Sequence, residues 1–204
     1  MRVAIFDYGA GNLHSLAKAL EVRDAQVAIE TDARRAIAAD VLVLPGVGAF
    51  GAACERLASG RDAMRAAILD GLPTIGICLG MQLLFDDSEE GPGSGLGIIS
   101  GRVARLHAAR IPQIGWNAVE PVASDALFRE APLPIAYYAN SFVCRPSDDA
   151  VVTAWSTHES DRFPAAVRSG GTVGVQFHPE KSSSDGVRFL HAFLDDARDT
   201  GGFA

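Results

Sequence analysis

Residues 73 to 85, Pro-Thr-Ile-Gly-Ile-Cys-Leu-Gly-Met-Gln-Leu-Leu-Phe, leave little freedom to the fold around them. Thr74, Ile75 and Ile77 are β-branched within an almost unbroken apolar run, the pattern of a short strand buried on both faces. Leu79, Met81, Gln82 and Leu83 favour helix, and Leu79, Leu83 and Leu84 fall on one helical stripe. A doubly buried strand that turns at once into a helix predicts an α/β fold with a parallel sheet. Cys78 stands at the joint, between Gly76 and Gly80.

The joint has the form of the strand-turn-helix elbow that presents serine in doubly wound hydrolases, here with cysteine. The flanking glycines leave room for a tight turn and for a substrate to approach the sulfur. At a helix N-terminus the positive end of the macrodipole favours thiolate, the reactive form. Taken alone, the segment suits equally a small buried cysteine that packs like alanine.

At 204 residues the chain is long enough for one α/β domain over residues 1–204, with a large core and no disulfide or metal to support it. A net charge of −7, with eighteen scattered basic residues, excludes a nucleic-acid surface. Cys54, Cys78 and Cys144 cannot all pair within the chain and form no Cys-x-x-Cys, which fits a reducing cytoplasm. The N-terminus turns polar at Asp7, too soon for a signal peptide, and no apolar run approaches a membrane span. His14, His107, His158 and His191 show no metal-ligand spacing, and neither metal nor cofactor is expected.

Residues 3 to 6 predict a first strand and residues 7 to 12 a glycine-rich loop, after which Asn12 is placed to cap a helix carrying Leu13, Leu16, Ala17 and Leu20. Gly9-x-Gly11 lacks the third glycine of a dinucleotide fingerprint. Residues 26 to 30 and 41 to 44 predict strands separated by a helix over 33 to 39. Then comes Pro45-Gly46-Val47-Gly48, a second glycine-rich loop at the carboxyl end of a strand, where open α/β sheets bind ligands. An acyl-transfer nucleophile needs N–H donors for the oxyanion, and Leu79 and Val47 are the candidates. Residues 52 to 70 read as one or two helices broken near Ser59-Gly60.

Beyond an acidic, turn-rich loop at 86 to 95 the pattern changes to strands, at 98–106, 114–119, 135–143, 151–155, 165–168 and 172–177, an added β-rich layer on the parallel sheet. A last helix starts near Ser184 or Asp185. Just before it stands Gly174-Val175-Gln176-Phe177-His178-Pro179-Glu180-Lys181. In an extended segment residues two apart face the same way, so His178 and Glu180 point together and Pro179 stiffens the link. A carboxylate beside an imidazole fixes its tautomer and supports its charged form, and a thiolate needs that imidazole to carry a proton to the leaving amine. Cys78, His178 and Glu180 therefore form a nucleophile, a base and its orienter.

Gly76-Ile77-Cys78-Leu79-Gly80-Met81-Gln82 with Phe177-His178-Pro179-Glu180 resembles the triad class of glutamine amidotransferases, end to end. Asp7-Tyr8-Gly9-Ala10-Gly11-Asn12, Pro45-Gly46-Val47-Gly48-Ala49-Phe50, Pro112-Gln113-Ile114-Gly115-Trp116-Asn117 and Lys181-Ser182 are similar to the glutaminase subunits of imidazole glycerol phosphate synthases within that class. The resemblance implies a flavodoxin-like open, mostly parallel sheet with helices on both faces and an added antiparallel β layer. It implies glutamine hydrolysis through a Cys78 thioester, with glutamine held by Gly48, Gln82, Glu90, Ser141 and the Phe142 backbone. Ammonia would pass to a (βα)8-barrel cyclase subunit, a heterodimer partner met through Asn12, Trp116, Asn117, Tyr137 and Lys181. It further implies that the loop at 45 to 48 turns a peptide before its N–H faces the substrate, leaving the chain nearly inactive alone.

One departure stands out. The resemblance leads to His-Ser-Tyr near residue 140, and this chain has Asn140-Ser141-Phe142. A glutaminase serving another synthase and a stand-alone cysteine hydrolase of the same fold are the alternative readings; the latter predicts partner-independent activity.

Overall fold

A computed structural model describes residues 1–9, 13–21 and 24–201. The expected Asn12 cap lies outside them. In chain order the elements are β1 (Arg2–Phe6), α1 (His14–Leu20), β2 (Gln26–Glu30), α2 (Ala33–Ala36), β3 (Val41–Leu44), α3 (Phe50–Leu57), α4 (Arg61–Leu69), β4 (Thr74–Ile77) and α5 (Leu79–Leu83). The second half adds β5 (Asp87–Ser88), β6 (Gly101–Arg105), β7 (Gln113–Ala118), β8 (Glu120–Pro121), α6 (Ala126–Glu130), β9 (Ile135–Asn140) and β10 (Phe142–Pro146). It closes with β11 (Val152–His158), β12 (Asp161–Ser169), β13 (Thr172–Val175) and α7 (Ser183–Gly201).

The main sheet has the order β2-β1-β3-β4-β13-β12-β11-β8. Its first five strands are parallel and its last three antiparallel. The interior strands bury both faces because their side chains alternate between two cores. Val3, Ile5, Val41, Val43, Ile75 and Ile77 face one core with Leu16 and Leu20 of α1 and Phe189, Leu190, Phe193 and Leu194 of α7. Ala4, Phe6, Leu42 and Leu44 face the other with Phe50 and Leu57 of α3, Met64 and Ile68 of α4, and α5. Among the described residues no helix is long and apolar enough to cross a membrane.

The added β structure takes two forms. β12, β11 and β8 extend the main sheet in its own plane, while β10-β6-β5 and β7-β9 are separate small sheets. The strand expected over 135–143 is two strands, since β9 pairs with β7 as far as Asn140 and β10 pairs with β6 from Phe142. Ser141 is the joint, its carbonyl accepting from the Leu106 N–H at 2.9 Å. α2 stops at Ala36 rather than residue 39. α6, with Asp125 accepting from the Phe128 N–H as its cap, is a helix that the periodicity does not show because it is only five residues long.

Candidate active site

β3, β4 and β13 end side by side: Leu44 pairs with Gly76, and Val175 with Ile77. The segments leaving them, residues 45–48, Cys78 and residues 176–180, therefore meet at one carboxyl edge of the sheet, where such folds place ligands. Cys78 has φ 48° and ψ −103°, a conformation that side chains with a Cβ rarely adopt. Close packing enforces it. A Cβ on Gly80 would stand 2.0 Å from the Leu44 carbonyl oxygen, and one on Gly76 2.5 Å from that of Gly80, so the helix can approach the strands only with glycine at both positions.

Cys78 is buried, and its N–H donates to the Val175 carbonyl at 2.6 Å. Gly46 sits against both Cys78 and the imidazole: a Cβ there would lie 2.9 Å from His178 Cε1 and 3.0 Å from Cys78 Cβ. His178 Nδ1 lies 2.9 Å from Glu180 Oε1, and both side chains are buried. This contact forms differently from the expected extended alternation. β13 ends at Val175, and Glu180 lies in a 3₁₀ turn over Pro179–Lys181, which curls the carboxylate back under the ring.

Three hydrogen bonds fix the backbone that carries the ring. The His178 N–H donates to the Tyr137 carbonyl at 2.8 Å, and the Ser182 hydroxyl donates to the His178 carbonyl at 2.7 Å. The same hydroxyl accepts from the Tyr137 N–H at 2.9 Å. Phe177 fills the core behind, its ring 6.0 Å from Tyr138 and 5.7 Å from Phe189. Burial by itself would lower the His178 pKa, but hydrogen bonding to Cys78 and to Glu180, with the electrostatic attraction of both, outweighs it and lifts the ring from 6.5 to about 9. The imidazole is thus charged at neutral pH and faces the sulfur. Burial pushes the Cys54 thiol up to about 11 and raises Cys144 well above its usual value, so neither is a ready nucleophile.

A cleft of about 200 Å³ opens over the sulfur. Its lining brings Gly48, Gln82, Glu90, Ser141 and Phe142 together with Cys78 and Leu79, and adds Gly46, Ala139 and Asn140. Leu79 opens α5, so its N–H is one of those a helix leaves without a carbonyl of its own. Val47 is half-buried and packs on the core beside the cleft. Glu90 accepts from the Phe50 N–H at 2.9 Å, which anchors its carboxylate at the start of α3. The Phe142 carbonyl already accepts from the amides of Gln82 and Asn140, each at 3.2 Å. Asn140 is buried, and its Oδ1 has no partner among the described residues.

The residues expected to meet a partner divide. Trp116 and Tyr137 are paired in register across β7 and β9, with ring centroids 6.2 Å apart. Trp116 is 55 % exposed, flanked by Ile114 at 67 % and Ile135 at 51 %. Lys181 is exposed in the turn that carries Glu180. Asn117 is committed internally, donating to the Thr157 carbonyl and accepting from the Ala118 N–H. Asn12 lies outside the described residues.

Several site residues escape the sequence reading. Gln176 donates to the Cys78 sulfur, Ser182 fastens the histidine, and Tyr8 fastens the glycine loop through a hydrogen bond to the Pro45 carbonyl. Ile114 and Ile135 had a legible signal, since apolar residues alternate in β7 with a buried Gln113, the inverse of an ordinary half-buried strand.

Against known proteins, the family described as "Glutamine amidotransferase class-I" matches residues 4–197. The chain is 44 % identical to the imidazole glycerol phosphate synthase subunit HisH of Gloeothece citriformis, with 96 % of each chain covered. It is 40 % identical to the subunit of that name from Methanothermobacter thermautotrophicus, covering 95 % of this chain and 98 % of the other. In fold it resembles a crystal structure described as a glutamine amidotransferase, with a TM-score of 0.74 at 19 % identity over 96 % of this chain and 98 % of that one. The PurLQS structure of Thermotoga maritima gives 0.72 at 20 % identity, with the same coverage. A family match over nearly the whole length, on a fold whose central strand delivers a strained cysteine to a charged histidine, makes this chain a member of the class-I glutamine amidotransferase family.

Proposed function

We propose that this chain is the glutaminase subunit of an imidazole glycerol phosphate synthase, the enzyme of histidine biosynthesis in which a cyclase consumes the ammonia released here. The observation that carries the reading is the cleft that gathers Cys78, Gln82, Glu90 and residues 139–142 around one sulfur, with the His178–Glu180 pair beside it. The relatives named above supply the synthase. In the proposed reaction Glu90 pairs with the α-ammonium of glutamine, and Gly48, Gln82, Ser141 and Phe142 complete the substrate's surroundings. The Cys78 sulfur attacks the side-chain carboxamide carbon, and the oxyanion takes the N–H groups of Leu79 and Val47. The C–N bond breaks as the His178 imidazolium gives its proton to the departing nitrogen, and ammonia leaves behind a thioester. His178, now neutral, takes a proton from water as that water attacks the thioester, releasing glutamate and restoring the sulfur. Glu180 orients the ring throughout.

The ammonia leaves toward a partner. Ala139 lines the cleft and belongs to β9, the strand whose outer face carries Ile135 and Tyr137 beside Ile114 and Trp116 of β7. An apolar, aromatic face next to a reactive cleft suits the mouth of a (βα)8-barrel cyclase, since aromatic anchors dominate protein interfaces. Lys181, exposed in the turn that carries Glu180, is proposed to meet the same partner. With a cytoplasmic partner of this kind the product never needs to cross bulk water.

Covalent trapping tests the reaction. A chloroketone analogue of glutamine, added to the complex with the cyclase, is expected to label Cys78 alone, with glutamine protecting it. Labelling of Cys54 or Cys144 instead, or a Cys78 adduct that glutamine leaves unchanged, would overturn the assignment.

A further inference from the structure

Gln176 is fully buried, yet it is polar and takes no part in the reaction as so far described. The parallel register explains where it lies. Val175 pairs with Ile77, so the next residues along the two strands, Gln176 and Cys78, leave the sheet abreast of each other. The Gln176 Nε2 donates to the Cys78 sulfur at 3.5 Å, an ordinary length for a hydrogen bond to sulfur. Its Oε1 has no partner among the described residues. The reverse orientation of the amide would set a carbonyl oxygen against an electron-rich sulfur, so the donor faces the thiol for a physical reason. A core position gains nothing from a carboxamide with one end unpaired, because an apolar side chain of the same length would fill it without that cost.

We propose that Gln176 is a further catalytic residue, whose carboxamide N–H donates to the Cys78 sulfur, stabilises it as thiolate and holds it aimed at the substrate carbon. The inference rests on the reading of Cys78 as nucleophile. Two hydrogen-bonding groups then meet the sulfur with distinct tasks. His178 gives up its proton when the leaving nitrogen needs it, and the neutral amide cannot, so Gln176 keeps one donor on the sulfur until the S–C bond forms. At that point the lone pair is shared with carbon and the Gln176 bond weakens, while no proton moves through it. The other groups near the sulfur leave this task to an amide. Tyr8 and Cys144 feel the charge on Cys78 and are themselves held neutral by burial. Glu180 reaches the site through the His178 ring, and Glu90 carries a negative charge at the cleft.

The test compares wild type with Gln176→Met, an apolar side chain of similar length, and Gln176→Glu, similar in shape but a carboxylate. Iodoacetamide alkylation of Cys78 is followed against pH, and glutamate release is followed in the complex with the cyclase. A lost hydrogen bond to a charged group is expected to slow alkylation at pH 7 by about tenfold in Gln176→Met and to move its pH profile upward by about one unit. Gln176→Glu moves it further, because a carboxylate repels the thiolate. kcat falls by a similar factor while KM holds, and the Gln176→Met melting temperature equals or exceeds that of wild type because the unpaired oxygen is gone. In wild type, the Gln176 side-chain amide resonance shifts when Cys78 is alkylated, a readout that needs no variant to fold. Unchanged alkylation profiles, a fall in kcat without a profile shift, or an unmoved amide resonance would each overturn the proposal. Failure of wild type itself to react with the glutamine chloroketone would instead overturn the nucleophile assignment on which it rests.

Discussion

At the scale of single residues the site works by unequal partners for similar groups. Three cysteines are buried, and burial is the main force that keeps Cys54 and Cys144 as thiols, whereas Cys78 has an imidazole and an amide beside its sulfur. His178 is likewise singular, since its pKa of about 9 arises from Cys78 and Glu180 against a desolvation that acts the other way. A histidine raised above its unfolded value contributes stability that is complete below pH 6.5 and lost as pH rises through about 9. Glu180→Gln removes one of the two supports. The melting-temperature gap between wild type and Glu180→Gln is therefore expected to be widest near pH 6 and to narrow as pH passes 9, with glutamate release reduced about a hundredfold or more at neutral pH. A gap that widened with pH would contradict the assigned charge state. Asn140, where the resemblance leads to histidine, spends its N–H on the Phe142 carbonyl and leaves Oδ1 buried without a partner among the described residues.

At the scale of elements, the elbow and the histidine segment are held by different means. Steric exclusion holds the elbow, because α5 touches β3 and β4 at glycine. Hydrogen bonds hold the histidine segment, and Ser182 is the hinge of that network, bonded to both His178 and Tyr137. Ser182→Ala would leave the Tyr137 N–H unpaired in the interior and the His178 carbonyl with the Lys181 N–H alone, at a cost of about 1–3 kcal/mol. For a chain of this size that corresponds to a melting temperature lower by about 2–12 °C. Calorimetry checks it, and a shift within 1 °C would show that the Tyr137 N–H finds another partner. These elements also show how far a sequence can be read. The strand at 74–77 and the helix after it are legible because each residue's propensity agrees with the burial it meets. The break at Ser141 is not, since residues 135–143 are uniformly strand-like and only the change of pairing partner, from β7 to β6, divides them. Cys78 and the His178–Glu180 pair could be found from spacing, although the 3₁₀ turn that joins the pair could not. Gln176 stayed invisible because its role depends on parallel register between β4 and β13, a pairing of residues about a hundred positions apart that no local pattern encodes.

At the scale of the whole molecule, one sheet separates two cores and brings three loops to a single edge, while β7 and β9 carry an exposed apolar face, the proposed partner surface. The two functions are physically joined. The β9 backbone that presents Tyr137 outward accepts the His178 N–H inward, so a partner pressing on that face acts on the strand that holds the imidazole. The central claim is a glutaminase that works with a cyclase seated on this face. It is tested most directly by measuring glutamate release from glutamine by wild type and Trp116→Glu, each alone and with increasing amounts of the cyclase subunit and its ribonucleotide ligand. The account predicts near silence from wild type alone, strong release in the complex, and about thirtyfold more cyclase needed by Trp116→Glu, the effect of losing a central aromatic anchor of about 2 kcal/mol. Full release by the chain alone, unaffected by the cyclase or by the substitution, would contradict it and identify a stand-alone hydrolase.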